Sequence, residues 1–352
     1  MKNKLLITIG VVVSLAVVII CVHKYDKEEI GEKKIKIGLL LAQTGFGSDF
    51  GQNERQVVPL LDQMYNGKVQ FVLEDSKSDA AKGVVAARKL LDVDKVDMVY
   101  CDLTSVANAI SPMLKSSQKV LMAAVCLERL TTDNPFAIRN IPSVKDESEL
   151  LFKYFREKRH GGSIMLVGSD DEFGRGAVSE SKALLGELGL LLAGIDTIPE
   201  DLSLVASLAE KMVKNPPDGI YIGSLNSSMG LLIKELRARG YKGYILTTDA
   251  FGYDYIQSIA GDVAQSVVYV DFPRTETFRK INEKIADLTP AAILMYDGIR
   301  MYLDYISKHN DIQKIADMEY RINGVFGNTY LIRQEIKYPL TLVNVQSNGV
   351  NQ

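Results

Sequence analysis

Two three-residue elements, Asp49-Phe50-Gly51 and Glu172-Phe173-Gly174, place an acidic residue, a Phe and a Gly at what read as the starts of two helices. Each follows a polar turn after an apolar run, Ile35-Lys36-Ile37-Gly38-Leu39-Leu40-Leu41 in the first case and Ile164-Met165-Leu166-Val167 in the second. The carboxyl end of a strand passing into the amino end of a helix is where open α/β sheets hold ligands. Free helix N–H groups and one aromatic ring on each side make a clamp for a small molecule. Reactive chemistry is thin by comparison. His23, His160 and His309 are scattered without a Cys or acidic cluster, so no zinc site is readable. No G-x-S-x-G nucleophile elbow occurs; Gly223-Ser224 runs into Leu225-Asn226 instead. Gly45, Gly47 and Gly51, with Glu74-Asp75 closing the next apolar run, leave a nicotinamide-dependent enzyme as a remote alternative. Their spacing is G-x-G-x-x-x-G, which departs from the dinucleotide fingerprint.

The elements that must carry these groups alternate short apolar runs with helical patterns, the signature of βαβ units and parallel sheets. One series of strands reads at 35–42, 68–74, 97–101 and 119–124. A second reads at 163–168, 192–197, 218–223, 243–247 and 266–271. Between strands, the pattern at 80–91 puts Ala80, Val84, Ala87 and Leu91 on one helix face. Another helix opens at Asn226, buries Met229, Leu232, Ile233 and Leu236, and stops at Gly240. Pro59 is expected to kink or shorten the first helix of the first series. Helices near 275–286 and 290–308 precede a strand-like tail at 329–345. Stretches 139–142, 271–274 and 323–328 read as crossovers between two lobes. Lobe 1 is therefore expected to hold 35–141 and 274–325, and lobe 2 to hold 142–273 and 326–352. Repeated crossing makes a hinge.

Composition narrows the function. The 352 residues suffice for two domains, and 47% hydrophobic with 24% charged residues is ordinary for a globular chain. A formal net charge of -3 and the lack of a basic, aromatic-interleaved stripe argue against nucleic acid. Residues 1–23 differ in kind: Lys2 and Lys4 precede an apolar run over 5–22, which reaches roughly 27 Å as a helix, near a bilayer's hydrocarbon thickness. This segment reads as a signal anchor, with lipidation of Cys21 or ordinary cleavage as alternatives, and 24–34 as a charged linker. Each case puts the remainder outside the cytoplasm. Cys101 and Cys126 read as two buried thiols or, in an oxidising compartment, as a disulfide.

The stretches IKIGLLLAQTGFGSDFGQ, DMVYCDLTSVANAISP, KVLMAAVCLERLT, FAIRNIPS, SIMLVGSDDEFGRG, DGIYIGSLNSSMGLLIKELRARGYKG and AAILMYDGIR, in that order, resemble the type I periplasmic binding proteins of the leucine/isoleucine/valine-binding group. Those are ligand receptors of ABC importers, and the resemblance runs over about 35–349. It implies an α/β fold of two Rossmann-like lobes with parallel sheets and a multi-crossover hinge, no cofactor and no catalysis. It also implies a small amino acid or related carboxylate held between the lobes, and a permease in the membrane as partner. The chain would be a monomer or weak dimer.

Residue by residue, the family's first-lobe hydroxyls fall on Thr104 and Ser105, suited to a carboxylate at a helix start; the alternative is that they only cap that helix. The next contact falls on Cys126-Leu127-Glu128, where the family has a small residue and a threonine. There Glu128 would pair with an amine, or else be a solvated loop residue. Asp249 matches the acid that meets an α-ammonium, with capping of a helix near Tyr253 as the alternative. Phe50, Phe173 and Leu225 match positions that are often tyrosine, and Ala291 lies near a family aromatic. Loss of those phenols makes a drier wall that favours an apolar or aromatic ligand, though any one of these aromatics could be core instead. A membrane-anchored sensor signalling through another chain is the other use of such a clamp.

Overall fold

The computed structural model describes residues 34–126, 129–285, 288–309 and 319–344. The expected anchor, Cys21, most of the linker and Glu128 lie outside the described residues. The strands are β1 (Ile35–Leu41), β2 (Val69–Asp75), β3 (Met98–Cys101), β4 (Val120–Ala123), β5 (Ala137–Arg139), β6 (Ser163–Ser169) and β7 (Leu191–Ile198). They continue as β8 (Gly219–Gly223), β9 (Tyr244–Thr247), β10 (Val267–Asp271), β11 (Glu319–Gly324), β12 (Gly327–Ile332), β13 (Glu335–Lys337) and β14 (Thr341–Asn344). Two sheets result, ordered β11-β12-β13-β5-β4-β3-β1-β2 and β14-β10-β9-β8-β6-β7. Pairings within β1–β5 and within β6–β10 are all parallel.

Both faces of the parallel strands are covered, which is why they read as nearly unbroken apolar runs. In β1, Ile37, Leu39 and Leu41 pack with Tyr100 against the helix Pro290–His309. Leu40, with Val99 and Cys101 of β3, faces the opposite core under the helices Ala80–Arg88 and Thr104–Ser116. The second sheet has the same two-sided cover. Pro59 does shorten its helix: Ser48–Arg55 ends, and a separate helix Val58–Tyr65 begins with the proline in its first turn, where no N–H is needed. Cys101 and Cys126 are free, buried thiols. Among the described residues no helix is long and apolar enough to cross a membrane.

The chain changes sheet three times, after β5, after β10 and after β13. The third change departs from the expected position near 323–328. That stretch is instead the tight turn of an antiparallel hairpin, with Gly324 opposite Gly327, and β12 and β13 stay in the first sheet. Residues 327–337 therefore belong with the first lobe and only β14 joins the second, antiparallel to β10. An Asn- and Gly-rich turn reverses a strand as readily as it links two lobes. The three crossings converge. Asn140 of the first accepts a hydrogen bond from the Tyr338 hydroxyl of the third at 2.8 Å and donates to the Leu294 carbonyl at 3.0 Å. Phe272 of the second stacks on Phe326 at 4.6 Å and meets Tyr338 edge-on.

Candidate functional site

The glycines of the repeated elements explain how each helix is seated. A Cβ on Gly51 would lie 2.3 Å from the Ala42 carbonyl oxygen, and one on Gly174 would lie 2.2 Å from that of Ser169. Each helix thus begins pressed on the backbone where its strand ends, at a distance only glycine permits. The neighbouring Phe is thereby aimed at the junction between lobes. Phe50 is half-buried and sets its ring edge on Tyr253 of the second lobe, centroids 5.5 Å apart. Phe173, 6% exposed, packs with Cys126, Val144 and Ala177, and with the partly buried Leu225. Phe173 is therefore part of a closed apolar floor rather than a ring standing free in a gap. Asp171 caps the helix Glu172–Glu187 by accepting the Gly174 N–H at 2.7 Å. Glu172 reaches across and accepts from Asn108 of the helix Thr104–Ser116 at 2.8 Å.

Thr104 and Ser105 sit half-buried in the first turn of that helix. The N-cap is Leu103, without a side-chain cap, so neither hydroxyl caps the helix. Among the described residues neither hydroxyl has a hydrogen-bond partner, which leaves both beside unused N–H groups. Ala291 is half-buried at the start of the helix Pro290–His309, apart from the Phe173 cluster; the preceding Thr289 bonds Asn53 in the helix Ser48–Arg55.

Asp249 follows β9 and opens a single 3-10 turn, Asp249–Gly252. The next helix, Asp254–Ala260, has Tyr253 at its N-cap and no side-chain cap, so Asp249 does not cap it. Its backbone N–H donates to Glu147 Oε2 at 3.2 Å. Glu147 is 4% exposed, on the helix Val144–Arg159. A reciprocal Ser143–Asp146 capping box sets the first turn of that helix. Sequence reasoning missed Glu147; its position one turn beyond the first crossover was the available signal. Among the described residues neither carboxylate has an ion-pair partner. Asp271, whose charge reaches Asp249, is paired with Arg274 at 2.9 Å, and Asp146, whose charge reaches Glu147, with Lys337 at 2.7 Å. Burial, with the charge of Asp271 added, raises Asp249 to about 7, though part of its surface stays open. Burial and the charge of Asp249 push Glu147 well above the usual carboxylate range.

Two more acids lie on the first-lobe side. Glu54, 1% exposed, accepts from the Tyr100 hydroxyl at 2.9 Å and leaves Oε2 without a partner. Asp102 accepts the Ala42 N–H at 2.6 Å and leaves Oδ1 unpartnered. Burial raises both, Asp102 to about 7. Tyr253 feels both lobes at once: its phenol is pushed up by burial and then by Asp249, Tyr255, Glu54 and Glu147. The junction is acidic, and its neutral donors are hydroxyls. The acids considered for a nucleotide ribose are occupied. Asp75 accepts from the Gln43, Thr44 and Lys77 N–H groups and holds the glycine turn, while Glu74 pairs with Lys89.

Comparison with known proteins agrees with this fold. Residues 34–325 match a family model described as periplasmic binding protein. A Leu/Ile/Val-binding protein homolog 2 of Brucella abortus is 24% identical over 252 residues, covering 66% of this chain and 66% of the relative, just under two thirds of its length. A branched-chain amino acid transporter substrate binding protein of Streptococcus pneumoniae, in complex with isoleucine, superposes with a TM-score of 0.75 at 17% identity, covering 90% of this chain and 97% of that one. A solute binding protein of an ABC transporter from Rhodopseudomonas palustris, in complex with 3,4-dihydroxybenzoic acid, gives 0.76 at 17% identity over 88% and 92%. These likenesses share the two-lobed architecture and name binding proteins, not enzymes. The chain belongs to the periplasmic binding protein family.

Proposed function

We propose that the protein is an extracytoplasmic receptor that closes its two lobes on an amino acid or a closely related small carboxylate and presents it to an ABC permease. What supports this reading is the presence of unengaged donors on the first lobe and of acids without a cation on the second. Thr104 and Ser105 offer hydroxyls and helix N–H groups on the first lobe, and Asp249 with Glu147 offers carboxyl groups without a cation on the second, whose ionised form a bound cation would favour. A carboxylate suits the former, and an ammonium suits the latter. The walls, Phe50, Phe173, Leu225 and Cys126 with Ala291 set further back, are apolar and favour an apolar or aromatic side chain. Among the described residues of the junction no group is arranged as nucleophile and base, which supports release of the solute unchanged.

A ligand touching both lobes stabilises the closed form by the contacts it makes only there. The permease would recognise that closed shape, and residues 5–22 or a lipid on Cys21 would keep the receptor at its membrane. The test is a thermal-shift screen of the purified protein against the twenty L-amino acids, a set of small mono- and dicarboxylates and a set of sugars. A saturable rise is expected, about 2.7 kcal/mol of added stability at a hundredfold excess over Kd. A screen in which sugars or dicarboxylates alone raise the melting temperature would falsify the reading.

A further inference from the structure

We propose that the two repeated acidic-Phe-Gly elements form a clasp between the lobes, in which Asn108 and Glu172 are positioning residues that set how readily the receptor closes on any ligand. The inference rests on the receptor reading above and adds a device that lies apart from the ligand contacts. Each repeated element contributes one cross-lobe contact. Phe50 of the first sets its ring edge on Tyr253, centroids 5.5 Å apart, and Tyr253 stacks on Tyr255 at 6.1 Å. Glu172 of the second accepts from Asn108 Nδ2 at 2.8 Å. A helix start of the first lobe thus reaches the second, and a helix start of the second lobe is held by the first.

The two contacts stand apart. β1 and β3, which lead into the helices Ser48–Arg55 and Thr104–Ser116, are neighbours in the first sheet, whereas β6 and β9 flank β8 in the second. At about 4.8 Å per strand spacing, the second-lobe ends of the clasp are separated by roughly 10 Å. One contact limits only the opening of the lobes, while two spaced contacts also resist their twist. Around Glu172 the other charges are committed: Arg175 pairs with Asp170 at 3.0 Å, and Asp171 caps the helix. Neither Asn108 nor Glu172 belongs to the apolar floor around Phe173, and their bond is solvent-exposed. Its worth is therefore added to the closed form whichever solute is bound. Apparent affinity scales with the population of the competent form, so one such bond changes it by about twofold to tenfold.

A charge series at position 108 tests the clasp in both directions, with the full chain. Asn108→Asp sets like charges across the seam, and Asn108→Lys sets opposite ones. By calorimetry, Asn108→Asp should weaken L-leucine and L-phenylalanine by one common factor, about threefold to tenfold, and Asn108→Lys should leave both as tight or tighter. Adding Glu172→Gln to Asn108→Asp should restore affinity, because the introduced amide then donates to the introduced carboxylate. The chain has no tryptophan, so Tyr255→Trp places a single fluorophore at the other contact. In that background and without ligand, Asn108→Asp should shift the emission to the red and Asn108→Lys should not. Emission and affinities unchanged in Asn108→Asp overturn the clasp. So does a loss that Glu172→Gln does not rescue, which marks damage within the helix, or a loss that differs between the two amino acids, which marks direct contact with ligand. Failure of both amino acids to bind the parent protein overturns the amino-acid reading instead, and the emission series then decides the clasp by itself.

Discussion

Within the single helix Glu172–Glu187, Gly174→Ala and Gly186→Ala should move stability in opposite directions. A Cβ added at Gly174 would sit 2.2 Å from the Ser169 carbonyl oxygen, 2.4 Å from its nitrogen and 2.6 Å from its Oγ. Two of these atoms are backbone, so the helix start itself must shift. Overpacking of this kind costs about 1–3 kcal/mol, and contact with backbone puts Gly174 at the upper end. The helix-propensity gain of alanine over glycine, at most about 1 kcal/mol, offsets part of that. A net loss of about 2 kcal/mol remains, which lowers Tm by roughly 4–8 °C in a lobe of this size. A Cβ on Gly186 meets nothing within 4 Å, so only the propensity gain survives and Tm should rise by a few degrees. Gly51→Ala repeats the first case in the other lobe, at 2.3 Å from Ala42. Circular-dichroism melts of the three variants decide the matter. Should Gly174→Ala melt at or above Gly186→Ala, the account of how the repeated elements seat their helices is wrong.

Two further outcomes are expected. The ligand-free protein should lose stability as pH rises from about 5 to 7.5. Glu54, Asp102, Glu147 and Asp249 are all raised, Asp102 and Asp249 to about 7, so the folded state keeps protons that the unfolded chain has already released. Each such group costs up to about 1.4 kcal/mol per pH unit in that window, and a urea midpoint that holds constant or climbs would contradict the burial of these acids. Arg139→Met should destabilise by about 3 kcal/mol in urea unfolding. Arg139 is 1% exposed, donates to the Cys126 carbonyl at 2.8 Å and pairs with Glu335, so its loss strips the loop after β4 of its support; a change below about 1 kcal/mol would refute this.

Much of the architecture was legible from local pattern. Apolar runs such as 35–41 and 163–168 ended in polar turns, and burial on both faces makes such runs continuous wherever strands are parallel. The acidic-Phe-Gly repeat marked the two helix starts because the seating of each helix is a short-range event, settled by one glycine and the residues nine and five positions before it. What lay beyond the chain's own neighbourhood was not legible. The turn at Val325-Phe326 reads alike as a hairpin or as a crossing, and only the pairing of β13 with β5, from nearly two hundred residues away, decided that β12 and β13 stay in the first lobe. Glu147 looks in sequence like one more solvated acid on a helix rich in them, and Glu54 likewise. Their burial beside Asp249 and Asp102 arises from contacts between remote segments. Local propensity is written in adjacent side chains, whereas the electrostatics of a site depend on which distant charges the fold brings together and which cations it leaves out.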